Sequence, residues 1–270
     1  VMKKYVILFF TVACCVLPSF AHAVESLPGS TWGDLHAEFP DSGDSNAILE
    51  GWIRQGIGWK KWEKGSTSFL LNTYLTARYK WDSEGLDWNN YIGPGVGVAI
   101  EMSNPHGPLV AWGAEYIHEY DYRSNDENPY TALYMNWYHW WDLNGTKYPG
   151  STWGDLRYEI PNDGDSNLIL EGWIRQGITW KRWERGGRTY ILNPYVKLHY
   201  KWDSEGLDWN NYIAPGIGLA LDMESPKGPL LSWGVEYSWE NDFRSGDDVH
   251  KVEVFMRWYA WWDLKHKEGK

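Results

Sequence analysis

Along residues 189–202 apolar and polar side chains alternate with a period of two. Tyr190, Leu192, Pro194, Val196, Leu198, Tyr200 and Trp202 fall on one face; Thr189, Ile191, Asn193, Tyr195, Lys197, His199 and Lys201 fall on the other. That is the period of a β-strand. An earlier segment reads the same way. Phe69, Leu71, Thr73, Leu75, Ala77, Tyr79 and Trp81 oppose Ser68, Asn72, Tyr74, Thr76, Arg78 and Lys80. The apolar face is aliphatic in the middle and aromatic at both ends, as on a strand that crosses a membrane with its rings at the two interfaces. The segment after it sets Ile92, Pro94, Val96, Val98, Ile100 and Met102 against Tyr91, Gly93, Gly95, Gly97, Ala99 and Glu101. Glycine on the polar face either admits a close neighbour or marks a barrel bend.

Every position from Gly29 onward can be compared with the one 121 residues later, without a gap, and roughly 70 of 121 positions are identical. Lys80–Ile92 returns as Lys201–Ile213, and Glu50–Ile57 as Glu171–Ile178. A repeat this long is a small domain or half of a closed structure, not a solenoid unit. On the aliphatic face Val96 and Val98 become Ile217 and Leu219, while Gly95 and Gly97 stay Gly216 and Gly218. Each copy predicts six strands, near 31–39, 46–62, 66–81, 88–102, 108–123 and 130–143, then the same plus 121. The predicted fold is all-β, an antiparallel up-and-down transmembrane barrel of about twelve strands. Residues 29–149 form one half and 150–270 the other. Ten strands remain if the short first segment, which runs into Pro40, does not form.

The connections sort into two alternating sets. Glu63–Ser66, Asn104–Gly107 and Asn144–Lys147 have short-turn chemistry. Residues 41–46, 82–87 and 123–128 are somewhat longer and more acidic, and the chain ends fall on the short-turn side. This is the arrangement of a bacterial outer-membrane barrel. Two soluble six-stranded domains are the competing reading, since a soluble sheet also has one apolar face. The join between the copies is a turn and not a linker, which favours one continuous meander.

Residues 1–23 read as a secretory signal peptide: Lys3-Lys4, an apolar stretch from Tyr5 to Val16, then Ala21-His22-Ala23. Lipoprotein processing at Cys14 is the weaker option, because Thr11-Val12-Ala13 fits such sites poorly. On cleavage Cys14 and Cys15 leave, and the loss of two lysines takes the formal net charge from −11 to −13. An acidic chain does not suit sequence-independent nucleic-acid binding. The 21 Trp and 18 Tyr, with no apolar run long enough for a membrane helix outside the signal, suit a membrane barrel or a sugar-binding surface.

The predicted non-lipid face carries the candidate chemistry. Glu50, Trp52 and Arg54 return as Glu171, Trp173 and Arg175; Tyr74 and Glu115 return as Tyr195 and Glu236. Glu101/Asp222, Glu119/Glu240, Asp142/Asp263 and the aromatics Tyr91, Tyr138 and Trp140 with Tyr212, Tyr259 and Trp261 complete the set. Rings stack on the apolar faces of sugars while Arg and carboxylates bond hydroxyls; the plainer reading is that these groups pair and fill a narrow lumen. Asp163-Gly164-Asp165-Ser166-Asn167 places oxygens at alternate positions but lacks the downstream Glu of a calcium loop. Catalysis has little support. No histidine of the mature chain recurs at the same place in both copies, and there is no nucleophile elbow, phosphate loop or HExxH. No cofactor or metal is expected.

The run Trp81-Asp82-Ser83-Glu84-Gly85-Leu86-Asp87-Trp88-Asn89-Asn90, followed by Pro94-Gly95-x-Gly97 and Gly113-x-Glu115-Tyr116, resembles the C-terminal barrel regions of bacteriophage-adsorption and exopolysaccharide-export outer-membrane proteins. The likeness covers about a third of each copy. The helical repeats that usually precede such barrels are absent, and Lys265–Lys270 adds a charged tail, so no functional residue is transferred. The expectation is an outer-membrane barrel, a non-enzymatic channel or surface component for saccharide passage or binding. Outer-membrane lipid is its expected surroundings, and polysaccharide or export machinery its expected partners. A secreted tandem lectin-like protein is the second reading and a barrel enzyme acting on lipid or glycan the third.

Overall fold

The computed structural model describes residues 24–85, 89–105, 107–141, 147–206, 210–225 and 230–264. The predicted signal peptide, Asp142 and the charged tail lie outside them. The described chain forms thirteen strands: β1 Pro28–Pro40, β2 Asn46–Lys64, β3 Thr67–Asp82, β4 Tyr91–Ser103, β5 Leu109–Asp121, β6 Glu127–Trp141, β7 Gly150–Pro161, β8 Asn167–Gly177, β9 Lys181–Arg185, β10 Arg188–Asp203, β11 Tyr212–Glu224, β12 Leu230–Asp242 and β13 Asp248–Asp263. β8 and β9 both pair with β10 and are two pieces of one stave. The sheet therefore has twelve staves. Each pairs antiparallel with its neighbours in sequence, and β13 returns to β1 to close the barrel. Closure leaves the staves without an open edge along their paired length.

The alternation decides which way each residue points, and the barrel is inside out relative to a soluble protein. Leu75, Val196 and Ile217 on the outer wall are 65%, 58% and 61% exposed, whereas the inward Tyr74 and Tyr195 are each 4% exposed. Val96, Val98, Leu133, Ile174, Val235 and Val254 extend the exposed aliphatic band around the circumference. At its short-turn end the band meets outward rings in five repeat-related pairs: Trp62/Trp183, Phe69/Tyr190, Trp112/Trp233, Trp137/Trp258 and Trp141/Trp262. At its other end stand Tyr79/Tyr200, Trp81/Trp202 and Tyr116/Tyr237, with Trp239 and Phe39. An apolar belt between two aromatic girdles is the exterior of a membrane-spanning barrel. Most of the tryptophan content serves these girdles.

The two halves are joined like neighbouring staves. β6 and β7 pair from Tyr130↔Pro161 to Trp141↔Gly150, and β13 and β1 repeat that register from Lys251↔Pro40 to Trp262↔Gly29. The two-domain soluble reading is thereby overturned, because neither half has a sheet or core closed on itself. The repeat instead sets a pseudo-twofold axis along the barrel axis.

Two local expectations need correction, and a third is decided between its alternatives. The first strand is not marginal: β1 runs thirteen residues and pairs on both sides, with Pro40 as its last residue. The predicted strand 167–183 is broken at 178–180. In the first copy the same region holds a register shift between Gly58 and Lys60, where Gly58 bridges Ser26. The second copy keeps the same contact, with Thr179 N donating to Lys147 O at 2.9 Å as Gly58 N does to Ser26 O. Ile178 N and Trp180 N still donate to Pro194 O and Leu192 O at 3.0 Å, so the break is an irregularity within one stave. Of the two readings of the glycines on the polar face, close approach of a neighbour holds at Gly97 and Gly218. A Cβ on Gly97 or Gly218 would lie 2.4 Å from the ring of Tyr74 or Tyr195, so these glycines seat an inward tyrosine. The strand ends flanking residues 41–45, 83–90 and 122–126 and their repeats lie at one end of the barrel, and the other strand ends, with both described chain ends, lie at the opposite end.

Candidate functional site in the lumen

All ten sequence-predicted site residues point into the lumen or line it. They divide into two repeat-related clusters. In the first, the Arg54 guanidinium lies 3.9 Å from the centre of the Tyr74 ring. The Tyr74 hydroxyl meets Glu115 Oε2 at 3.1 Å and the Tyr134 hydroxyl at 2.8 Å, and Arg78 pairs with Glu115. In the second, Arg175 lies 4.8 Å from the Tyr195 ring centre. Its Nη2 donates to Asp222 Oδ2 at 2.7 Å, Tyr195 Oη donates to Glu236 Oε2 at 2.7 Å, and Lys197 pairs with Glu236. Glu50 lies 3.6 Å from Lys80, and Glu171 lies 3.6 Å from Lys201 and 3.4 Å from His199.

The clusters are similar but not copies. Arg78 in the first half corresponds to His199 in the second, and Lys197 corresponds to Thr76. The cation facing the buried glutamate has moved two residues along its strand, which keeps it on the inward face, and the pair survives. Buried carboxylates without a cation are costly, so this conservation of pairing is what stability alone demands.

The feature that sequence reasoning missed lies on β1 and β7. Trp32 and Trp153 are equivalent residues on opposite staves, and their rings stack across the lumen with centroids 6.2 Å apart and planes 3° from parallel. Tyr138 and Tyr259, again equivalent and on opposite staves, stack at 5.4 Å and 17°. In register, Trp32 sits between Trp52 and Tyr259, and Trp153 between Trp173 and Tyr138. Six inward rings thus form one aromatic layer, and four of them bridge from wall to wall. Parity along β1 carried the signal: Trp32 is in phase with Asp34, His36 and Glu38, but the strand was read as marginal. Trp140 and Trp261 continue the rings toward the short-turn mouth, where Trp261 is exposed.

A cavity of about 800 Å³ runs from residues beside the long loops, including Glu38, Tyr91, Tyr212 and Glu240, to this aromatic layer. Its wall is charged and paired. Arg257 donates to Asp34 at 2.6 Å and to Glu253 at 2.5 Å, Lys251 bridges Glu38 at 2.9 Å and Glu240 at 3.1 Å, and Arg157 meets Asp155 at 2.6 Å. His36, Glu38 and Glu253 come close enough to share one ion, yet Lys251 and Arg257 already hold the two glutamates. The turn at Asp163–Asn167 is a surface turn with Gly164 at φ 96°, and its Asp side chains are exposed.

No protein-family model and no curated protein sequence matches the chain. Solved structures do. The β domain of a Bordetella autotransporter aligns with TM-score 0.42 and 12% identity over 85% of this chain and 98% of its own. A bacterial polysaccharide outer membrane secretin gives 0.43 and 11% over 88% and 98%. An outer membrane channel from Pseudomonas putida gives 0.46 and 8% over 88% and 96%. The chain's own pairing makes it a closed twelve-stranded antiparallel barrel.

Proposed function

We propose that this barrel resides in the bacterial outer membrane and passes or holds saccharide in its lumen, without catalysing a reaction, through an aromatic constriction that is closed at rest. The carrying observation is the aromatic layer. Six rings form one layer across a lumen whose wall also carries ion-paired polar groups and separate inward tyrosines, and two equivalent pairs of them stack from wall to wall. Flat, amphipathic rings beside Arg and carboxylate groups are the surface on which a sugar ring stacks and hydrogen-bonds. A saccharide that slid between Trp32 and Trp153 would exchange a ring–ring stack for ring–sugar stacks. The wall carboxylates support a non-enzymatic reading, because most of those described are held by a cation or a tyrosine hydroxyl.

Planar-bilayer conductance tests the reading. The wild-type barrel should show small or infrequent openings, and the double variant Trp32→Ala, Trp153→Ala should conduct several-fold more. Added oligosaccharide should reduce the variant's current less than that of the wild type, because the stacking surface is gone. A wide, steady wild-type pore that the double substitution leaves unchanged would remove the constriction.

A further inference from the structure

The hairpin tips β2–β3 and β9–β10 carry charge of the opposite sign to the rest of the chain. β1 pairs with β2 only as far as Gln55, so residues 59–64 run on past it at the short-turn end. Their sequence is Trp-Lys-Lys-Trp-Glu-Lys, and residues 180–185 repeat it as Trp-Lys-Arg-Trp-Glu-Arg. Register fixes which side each residue takes. Lys60, Trp62 and Lys64 lie opposite Leu71, Phe69 and Thr67 on the outer wall; Lys181, Trp183 and Arg185 lie opposite Leu192, Tyr190 and Arg188 on the same wall. Glu63 and Glu184 fall on the other face. Parity thus leaves the outer wall of both tips with five cations and no carboxylate, in a chain of net charge −11.

The order along the wall is equally regular. Leu71 or Leu192 continues the aliphatic belt. A stacked ring pair follows, Trp62–Phe69 at 5.4 Å and Trp183–Tyr190 at 5.5 Å, and the cations come at the tip. Lys60, Lys64, Lys181, Arg185 and Arg188 are exposed and make no salt bridge among the described residues. Aliphatic, aromatic, then cationic is the depth profile of a leaflet from acyl chain to phosphate. We infer that the two tips are a matched pair of binding sites for anionic phospholipid headgroups in the leaflet at the short-turn end. They would grip that leaflet at two opposite points of the circumference.

The test compares the full barrel refolded into phosphatidylcholine bilayers with the same barrel in bilayers containing phosphatidylglycerol, reading the unfolding temperature from heat-modifiable gel mobility. Phosphatidylglycerol should raise it by on the order of 5 °C at low ionic strength, and added salt should abolish the rise in the unaltered protein. The variant Lys60→Gln, Lys64→Gln, Lys181→Gln, Arg185→Gln, Arg188→Gln should keep its phosphatidylcholine value and lose the rise. Lys61→Gln, which alters the opposite face, should keep it. No rise in the wild type, or a rise that survives the five substitutions, overturns the assignment. A wild-type rise produced equally by a soluble acidic polysaccharide in phosphatidylcholine bilayers would also overturn it, because the tips would then serve a soluble polyanion.

Discussion

At the residue scale the lumen shows how a duplicated interior drifts without breaking its charge balance. Glu115 is 3% exposed and Glu236 2%, so each needs a cation within reach. One receives Arg78 and the other Lys197, from positions that do not correspond between the copies. Removing one partner leaves the other charge buried and alone, which typically costs about 3–5 kcal/mol. Arg78→Ala should therefore lower the unfolding free energy of the refolded barrel, read from urea titration, by that order, while Arg78→Ala with Glu115→Gln should recover most of the loss. Recovery in the double variant separates stranded charge from lost packing; its failure would mean that the Arg78 stem mattered more than the pair. Site candidates such as Arg54 and Tyr74 were legible because they fall on the face opposite Ile53, Ile57, Leu71 and Leu75. Their partners were not, since the Tyr74–Tyr134 contact joins β3 to β6 and no local pattern records it.

At the element scale the strands were readable wherever both faces had a clear character. β3, β4, β10 and β11 have an unbroken apolar face and lie within three residues of their expected bounds. β1 was the exception. Its outward residues include Gly33 and Ala37 beside Leu35 and Phe39, a weak apolar face by composition. The reason is packing across the stave: a Cβ on Gly33 would fall 2.1 Å from the Trp258 ring. The bulk that makes this part of the outer wall apolar is supplied by β13, and a single-strand pattern cannot show it. The irregularity after β8 stands where the first copy has its register shift between Gly58 and Lys60, and neither leaves a mark in the alternation of apolar and polar residues. The outer wall yields its own prediction. An arginine in place of Ile217, in the middle of the aliphatic belt, should cost about 2–4 kcal/mol in a bilayer, measured by reversible denaturant unfolding in lipid. The same change at Thr67, opposite Lys64 at the tip of the β2–β3 hairpin, should cost much less. Equal costs at both positions would mean that lipid does not cover the belt.

At the scale of the whole molecule, the two seams of the barrel are interchangeable. β6 and β7 are consecutive in the chain, and β13–β1 is where the described chain ends meet, yet both seams hold their strands in the same register. Asp263 Oδ1 accepts from Leu27 N at 2.9 Å, and Leu264 N donates to Leu27 O at 3.1 Å, so the ends already lie within hydrogen-bonding distance. A chain that starts at Gly150, runs through Leu264, crosses a short flexible linker to Leu27 and stops after Trp141 needs no strand to change partners. Termini that lie side by side are the condition under which circular permutation is tolerated. The permuted barrel should refold into bilayers with the heat-modifiable mobility of the parent. It should also keep the parent's conductance, because Trp32–Trp153 and Tyr138–Tyr259 are related by the same axis that exchanges the seams. A permutant that folds but conducts freely would show that the aromatic layer depends on the native turn at 142–149 and not on the symmetry of the staves.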